Sequence, residues 1–357
     1  MTEGLFPNVP RRQCVQALLV GGMLGPVGLR AAPPPSGHTL VLGTQPLGMP
    51  CSAISALMQR DQVLQQTLAR TQWRLRHHPF SKGSDMLPLL SLRQLSAAFL
   101  GDMPTLVAAA LGEAAIVGLV KQTSTAIVGR GLERIEDLRD KRVGYVEASS
   151  AHYTLLQALN LAGLQESQIT LVPLAVDQMV EALERNDIDA FAAWEPASSL
   201  ALMRHRAHRV IFRGSTTDYL VINLPFTQEH PAISLALIAS FVRAIQWMRL
   251  SRLNLDKAVR WANDEATSFT GRALALPLRQ LAAIVERDLL DVPAAPWVSP
   301  PDAQSPLRQE FEFLARLGKL PSQARWGQVE RAFSYDGLSK VLTQSRQYQT
   351  HVFNYRE

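Results

Sequence analysis

The sequence predicts an α/β protein whose parallel-rich sheets are flanked by helices on both faces. Three observations carry that prediction. From Thr39 to Trp194, short β-branched or apolar runs alternate with helical stretches, the pattern of β-then-α units. Of the 357 residues, 47% are apolar and 19% charged, enough to bury real cores and too few charges for a disordered chain. A chain of this length also exceeds one typical domain, so two compact units are expected. Finally, a polar or small residue recurs just after each strand and at the start of the next helix. Right-handed crossovers would bring all such loops to one sheet edge.

The elements follow in order. Thr39–Gly43 reads as a strand, Ala53–Arg70 as a helix, Trp73–His77 as a strand and Ser84–Leu95 as a helix. Ser96–Leu100 and Thr105–Leu111 repeat the pattern. Thr125–Gly129 is a strand, followed by a short helix at Ile135–Arg139. Arg142–Val146, Ile169–Leu174 and Ala190–Trp194 are strands; Ala151–Ala162 and Gln178–Arg185 are helices. Ser149 and Ser150 precede a helix that Gly163 stops, and Asp177 stands where an N-cap would. After residue 224 the strand signal fades. Pro231 opens a long helix with Ile233, Leu237, Phe241, Ile245 and Met248 on one face. Further helices are expected at Asp256–Thr267, Pro277–Leu290 and Leu307–Leu317.

The amino terminus has the features of an export leader. Arg11 and Arg12 form a basic region, Ala17–Leu29 a short apolar one, and Ala31 and Ala32 supply small residues before Pro33–Pro35. The arginine pair points to the twin-arginine route, which Gln13–Gln16 matches only in part. The apolar run falls short of the roughly 18 residues a spanning helix needs.

Charge and chemistry exclude several classes. Lys+Arg 36 against Asp+Glu 31 gives +5, and no window gathers basic residues into a stripe, so no nucleic-acid partner is expected. The cluster Arg204, His205, Arg206, His208 and Arg209 reads as a solvated helix end. Two cysteines, Cys14 and Cys51, make neither a disulfide framework nor a cysteine zinc site. No G-x-G-x-x-G after a strand, P-loop, H-E-x-x-H or G-x-S-x-G occurs. His77–His78 point to opposite faces of a strand, a poor metal clamp. Asp187 and Asp189 read as a turn. No cofactor or metal is expected.

What recurs is the strand-to-helix loop. Gln45 follows the first strand, Ser84–Asp85 open the second helix, and Gly101-Asp102-Met103-Pro104 follow the third strand. Ser149-Ser150-Ala151 follow Arg142–Val146, and Trp194-Glu195-Pro196 follow Ala190–Ala193. Gathered at one edge, these helix starts would suit an anion or another acceptor-rich small ligand, with Trp194 as an apolar wall and Glu195 as a selective contact or counter-charge.

These stretches resemble the periplasmic substrate-binding proteins of ABC importers, in the sulfonate/taurine/nitrate/thiamine-precursor group. Gly101-Asp102-Met103-Pro104 resembles that family's G-D-x-P turn. Ala126-Ile127-Val128 through Ile135–Gly144 resembles its A-I-V … I-x-x-L-x-D-L-K-G-K-K-V segment. Ser149–Tyr153 with Asp189–Pro196 resembles its G-S-x-x-H-Y … D-A-x-x-x-W-D-P pair. The likeness covers residues 39–320.

The resemblance implies a type II two-lobed periplasmic-binding-protein-like fold with a ligand cleft between lobes. Residues 1–37 would be the leader, 38–127 plus 225–345 one discontinuous lobe, 128–224 the other, and 346–357 a carboxy-terminal tail. Two strands near Ala126–Gly129 and Tyr219–Asn223 would join the lobes. It implies a periplasmic monomer that binds a small sulfonate-, nitrate- or pyrimidine-like ligand without turnover, partnered by a permease and an ATPase. By carry-over the ligand contacts are Gln45, Ser84, Asp85, Gly101, Asp102, Ser149, Ser150, His152, Trp194 and Glu195. The chain departs from the family in carrying Glu195 where Asp is usual and Ala148-Ser149 where Gly-Ser is usual. Glu195 suits a bare anion only if it meets a cationic ligand group or pairs with an arginine. An enzyme of the same fold, using Asp102, His152 and Glu195 as acid/base groups, and a ligand-sensing module are the alternatives.

Overall fold

A computed structural model of the chain describes residues 37–290, 301 and 305–357, and residues 37–357 hold together as one unit. The leader expected before Gly37, with Arg11, Arg12 and Cys14, lies outside the described residues. In chain order the elements are β1 His38–Thr44, α1 Cys51–Arg60, α2 Gln62–Arg70, β2 Trp73–Pro79, α3 Leu87–Ser91, β3 Ala97–Gly101, α4 Asp102–Ala110 and β4 Ala114–Arg130. Then come β5 Arg142–Tyr145, α5 Ser150–Leu161, β6 Thr170–Pro173, α6 Met179–Glu184, β7 Ala190–Ala193, α7 Ala197–Arg204 and β8 His208–Asn223. The rest is helical: α8 Leu224–Glu229, α9 Pro231–Leu250, α10 Arg252–Thr270, α11 Leu278–Leu290, α12 Pro306–Arg316, α13 Trp326–Ala332 and α14 Asp336–Thr343.

The strands form one mixed sheet in the order β2-β1-β3-β8-β4-β7-β5-β6. The parallel expectation holds for two triplets, β2-β1-β3 and β6-β5-β7, and fails for the long strands between them. β4 and β8 run antiparallel to each other and to their neighbours, because the chain crosses along β4 and returns along β8. Over Gln122–Thr125, opposite Gly214–Thr217, neither β3 nor β7 flanks this pair. The strands expected near Ala126–Gly129 and Tyr219–Asn223 are the distal ends of β4 and β8, each paired to its own triplet.

One large core packs α1, α2, α4 and α9–α14 around the β2-β1-β3 half; Leu40, Leu42, Phe99 and Phe241 are fully buried there. Helix α9 is long and apolar enough to span a membrane by composition, but most of it is inside this core. The β7-β5-β6 half carries a core on each face, around Phe191 and Met179 on one and Leu155 and Leu138 on the other. Helices on both faces are what apolar strands buried on both sides require.

Several boundaries differ from expectation. The helix expected over Ala53–Arg70 breaks at Asp61, whose carboxylate accepts from Val63 N and Leu64 N and so starts α2 afresh. Asp61 also receives Arg243 Nη2 at 2.6 Å and Ser240 Oγ, fully buried. Ser84–Leu95 holds only a 3₁₀ turn, Gly83–Met86, and the short α3, cut by Pro88 at its first turn. Asp177 caps nothing: it lies within a 3₁₀ turn, Val176–Gln178, ahead of α6. His208 is not a solvated helix end but is buried at the start of β8, its Nδ1 bonded to Ala201 O. Ser149 caps α5 by accepting from His152 N, and Gly163 follows at φ 66°, as expected.

Candidate ligand-binding cleft

The loops after β1, β2, β3, β5 and β7 meet where β4 and β8 cross, around about 540 Å³ of non-atom space, solvent at its mouth included. Three helices begin there. α1 starts at Cys51, α4 directly after Gly101, and α5 after its cap Ser149. Each brings backbone N–H groups with no partner inside the helix and the positive end of its dipole.

The floor is the crossing itself. Gly101, Asp218 and Lys121 are register neighbours on β3, β8 and β4, so they form one row beneath the helix starts. Lys121 Nζ lies 3.6 Å from Asp218 Oδ2, its side chain only 4% exposed. Burial alone would lower the Lys121 pKa; Asp218 and then Asp288 outweigh it and hold the ammonium charged. Cys51 Sγ donates to Asp218 Oδ2 at 3.2 Å. Burial first, and then the Asp218 charge, push the Cys51 pKa far up, so it stays a thiol. Thr125 and Thr216 face each other at 3.3 Å, and Lys82 lines the rim, 3.7 Å from Asp85.

Of the ten expected site residues, six line the cleft: Gln45, Ser84, Gly101, Ser149, Ser150 and Trp194. Gln45 is held in place by its Nε2 donating to Phe99 O at 2.9 Å. Trp194 is half-buried and also packs against both cores of the β7-β5-β6 half. The other four do not line it. Asp85 points to solvent with Lys82. Asp102 is buried one layer below, accepting from Met103 N, Thr217 N and Ser150 Oγ, and so ties α4, α5 and β8 together. Burial lifts its pKa to about 6 against those hydrogen bonds. His152 is buried with Nδ1 accepting from Ala148 N, and burial lowers its pKa to about 4, so it is neutral. Glu195 turns away to cap α7, accepting from Ser199 N at 3.1 Å and Ser199 Oγ at 2.9 Å. Arg287 Nη2 lies 3.5 Å from it, which supplies the arginine partner its position called for.

The reading from sequence missed Gly48, Cys51, Lys82, Gly83, Pro104, Lys121, Thr125, Ala148, Thr216 and Asp218. Among the described residues no group of three or more His, Cys, Asp or Glu could hold a metal. The cleft thus combines helix-start donors, one buried cation and one carboxylate, which also accepts from the Cys51 thiol.

Residues 101–247 match the family model described as NMT1/THI5 like. The chain is 26% identical over 280 residues, 72% of its length and 80% of the relative's, to the taurine-binding periplasmic protein of Escherichia coli K12. It is 24% identical over 217 residues, 58% of its length, to a protein of the same organism named for binding aliphatic sulfonates. That alignment spans 64% of the relative. The crystal structure of the periplasmic aliphatic sulphonate binding protein SsuA from Escherichia coli superposes with a TM-score of 0.65 at 21% identity, covering 87% of this chain and all of that one. The fold is that of the periplasmic solute-binding proteins. An enzyme also adopts it: a mutant of the desulfurization enzyme DszB in complex with biphenyl-2-sulfinic acid matches at TM-score 0.58 and 15% identity, over 86% of this chain and 99% of that one. The likeness to sulfonate- and taurine-binding proteins read from the sequence is thereby borne out.

Proposed function

We propose that the chain is an exported, periplasmic solute-binding protein that captures a small organic sulfonate and delivers it to an ABC importer's permease and ATPase. Residues 38–127 plus 225–345 and residues 128–224 would be the two lobes, hinged at Lys121–Thr125 and Gly214–Asp218. One observation carries the reading: three helix starts converge over a buried lysine in a single cleft. Helix N-termini and a buried ammonium together favour a compact anion. The Lys121–Asp218 row would also suit a ligand whose amine faces Asp218, as taurine's can. Closure around the ligand is the state a permease would distinguish from the empty one. The leader, with its arginine pair, supports export, by the twin-arginine route.

A thermal-shift screen of the purified chain tests this, with taurine, alkane- and arylsulfonates, nitrate, bicarbonate, aromatic carboxylates and hydroxymethylpyrimidine. A ligand at 100 times its Kd adds about 2.7 kcal/mol. A shift confined to sulfonates supports the proposal; one confined to another class replaces the ligand.

Cys51 favours a second reading, an enzyme acting on the sulfonate or sulfinate, because it stands at a helix start inside the cleft. Its raised pKa and its carboxylate partner argue against a nucleophilic thiolate. Mass spectrometry of the incubated ligand separates the two: a binding protein returns it unchanged.

A further inference from the structure

β8 shows two faces at the crossing. Thr216 and Asp218 turn to the cleft, while Ser215, Thr217 and Tyr219 turn the other way, into a second pocket with about 750 Å³ of non-atom space. The two pockets share only Thr216 among their lining residues. A register shift between Leu119 and Lys121 likewise puts Leu119 in the second pocket and Lys121 in the first.

This second pocket has its own chemistry. Glu310, on α12, lines it at 2% exposure, and its Oε2 has no hydrogen-bond partner. A buried carboxyl with an empty lone pair is costly and calls for a donor. Around it stand the Gln122 amide and the hydroxyls of Ser215, Thr217 and Tyr219. Tyr219 and Phe333 meet edge to face, centroids 5.8 Å apart at 88°. An anion brings no donor for the open Oε2 of Glu310. A hard divalent metal would need more oxygen ligands than one carboxylate and a few neutral groups offer. An organic cation fits both halves of the wall, its N–H groups on the carboxylate and its carbon stem against the rings.

We propose that this pocket is a binding site for a small organic ammonium ion, seated on the Glu310 carboxylate and distinct from the ligand cleft. Burial raises the Glu310 pKa, with the charge of Asp102 adding to the effect. A cation seated on the carboxylate pulls that pKa back down, so binding is accompanied by proton release to solvent.

The test is calorimetry with methyl-, 2-hydroxyethyl- and 2-phenylethylammonium, in two buffers of different ionisation heat, with neutral 2-phenylethanol as control. The expected result is ammonium binding with proton release, weakened roughly tenfold or more in Glu310→Gln and without proton release there. Because that variant could fold poorly, amide shifts are also followed in the wild type. Thr217 and Tyr219 should move on addition of the ion while Gly101 and Ser149 stay still. No binding at millimolar ion, equal binding by Glu310→Gln, or shifts confined to Gly101 and Ser149 would each overturn the proposal.

Discussion

Lys121→Met removes the cleft's buried ammonium and keeps most of its apolar stem. The lysine is almost wholly inside, 3.6 Å from Asp218, so its charge acts on a ligand with little solvent screening. A hydrogen bond from such a charged donor contributes about 1.5–3 kcal/mol, which converts to a Kd raised roughly 10- to 150-fold. The apo protein should weaken as well, since Asp218 loses its cation; breaking a buried pair costs about 3–5 kcal/mol, less here because Asp218 is 17% exposed. Adding Asp218→Asn separates the two effects. The double variant should regain most of the lost stability in urea denaturation, yet still bind poorly in calorimetry with an alkanesulfonate that carries no amine. If Lys121→Met binds that ligand like wild type, the lysine does not meet the anion. If the double variant regains full affinity, Lys121 only neutralises Asp218, and the reasoning fails.

Three further outcomes follow from the same geometry. A Cβ at Gly101 would sit 3.0 Å from Ser150 Oγ and 3.4 Å from Asp218 Oδ1, so Gly101→Ala should raise the ligand's Kd roughly tenfold in calorimetry while the apo melting temperature holds within a few degrees. Asp102 titrates at about 6 in the fold against an ordinary 3.8, so its contribution to stability is full below pH 4 and lost as pH rises through 6, by about 3 kcal/mol. Asp102→Asn lacks this loss, and its urea stability should gain on wild type by about 2 kcal/mol between pH 4 and 6.5. Arg243→Met leaves Asp61 buried without its cation and should cost about 3–5 kcal/mol in urea denaturation, with ligand affinity unchanged.

The inner strands of the two triplets were legible because β1, β3 and β7 are apolar runs buried on both faces, unlike the half-exposed edge strands β2 and β6. The crossing was not. Lys121-Gln122-Thr123-Ser124 and Arg213-Gly214-Ser215-Thr216-Thr217-Asp218 carry no strand signal, since polar runs rich in Ser, Thr and Gly mark turns elsewhere. Here they are strands whose side chains face two cavities in place of a core, so the alternation of apolar and polar residues disappears. The same feature hid the site residues Lys121, Thr125, Thr216 and Asp218. Strand-end reasoning found the loops but could not orient them. Ser149 and Ser150 face the cleft, whereas Glu195, next to lining Trp194, turns back to cap its own helix. The break at Asp61 escaped because its purpose, a pair with Arg243, spans 182 positions of sequence.

The most direct measurement is the crystal structure of the chain with a bound alkanesulfonate. The account predicts one ligand per chain, its sulfonate oxygens within hydrogen-bond reach of the helix starts at Gly101 and Ser150 and its charge beside Lys121. A sulfonate bound elsewhere, or a cleft that stays empty at saturating ligand, would contradict it.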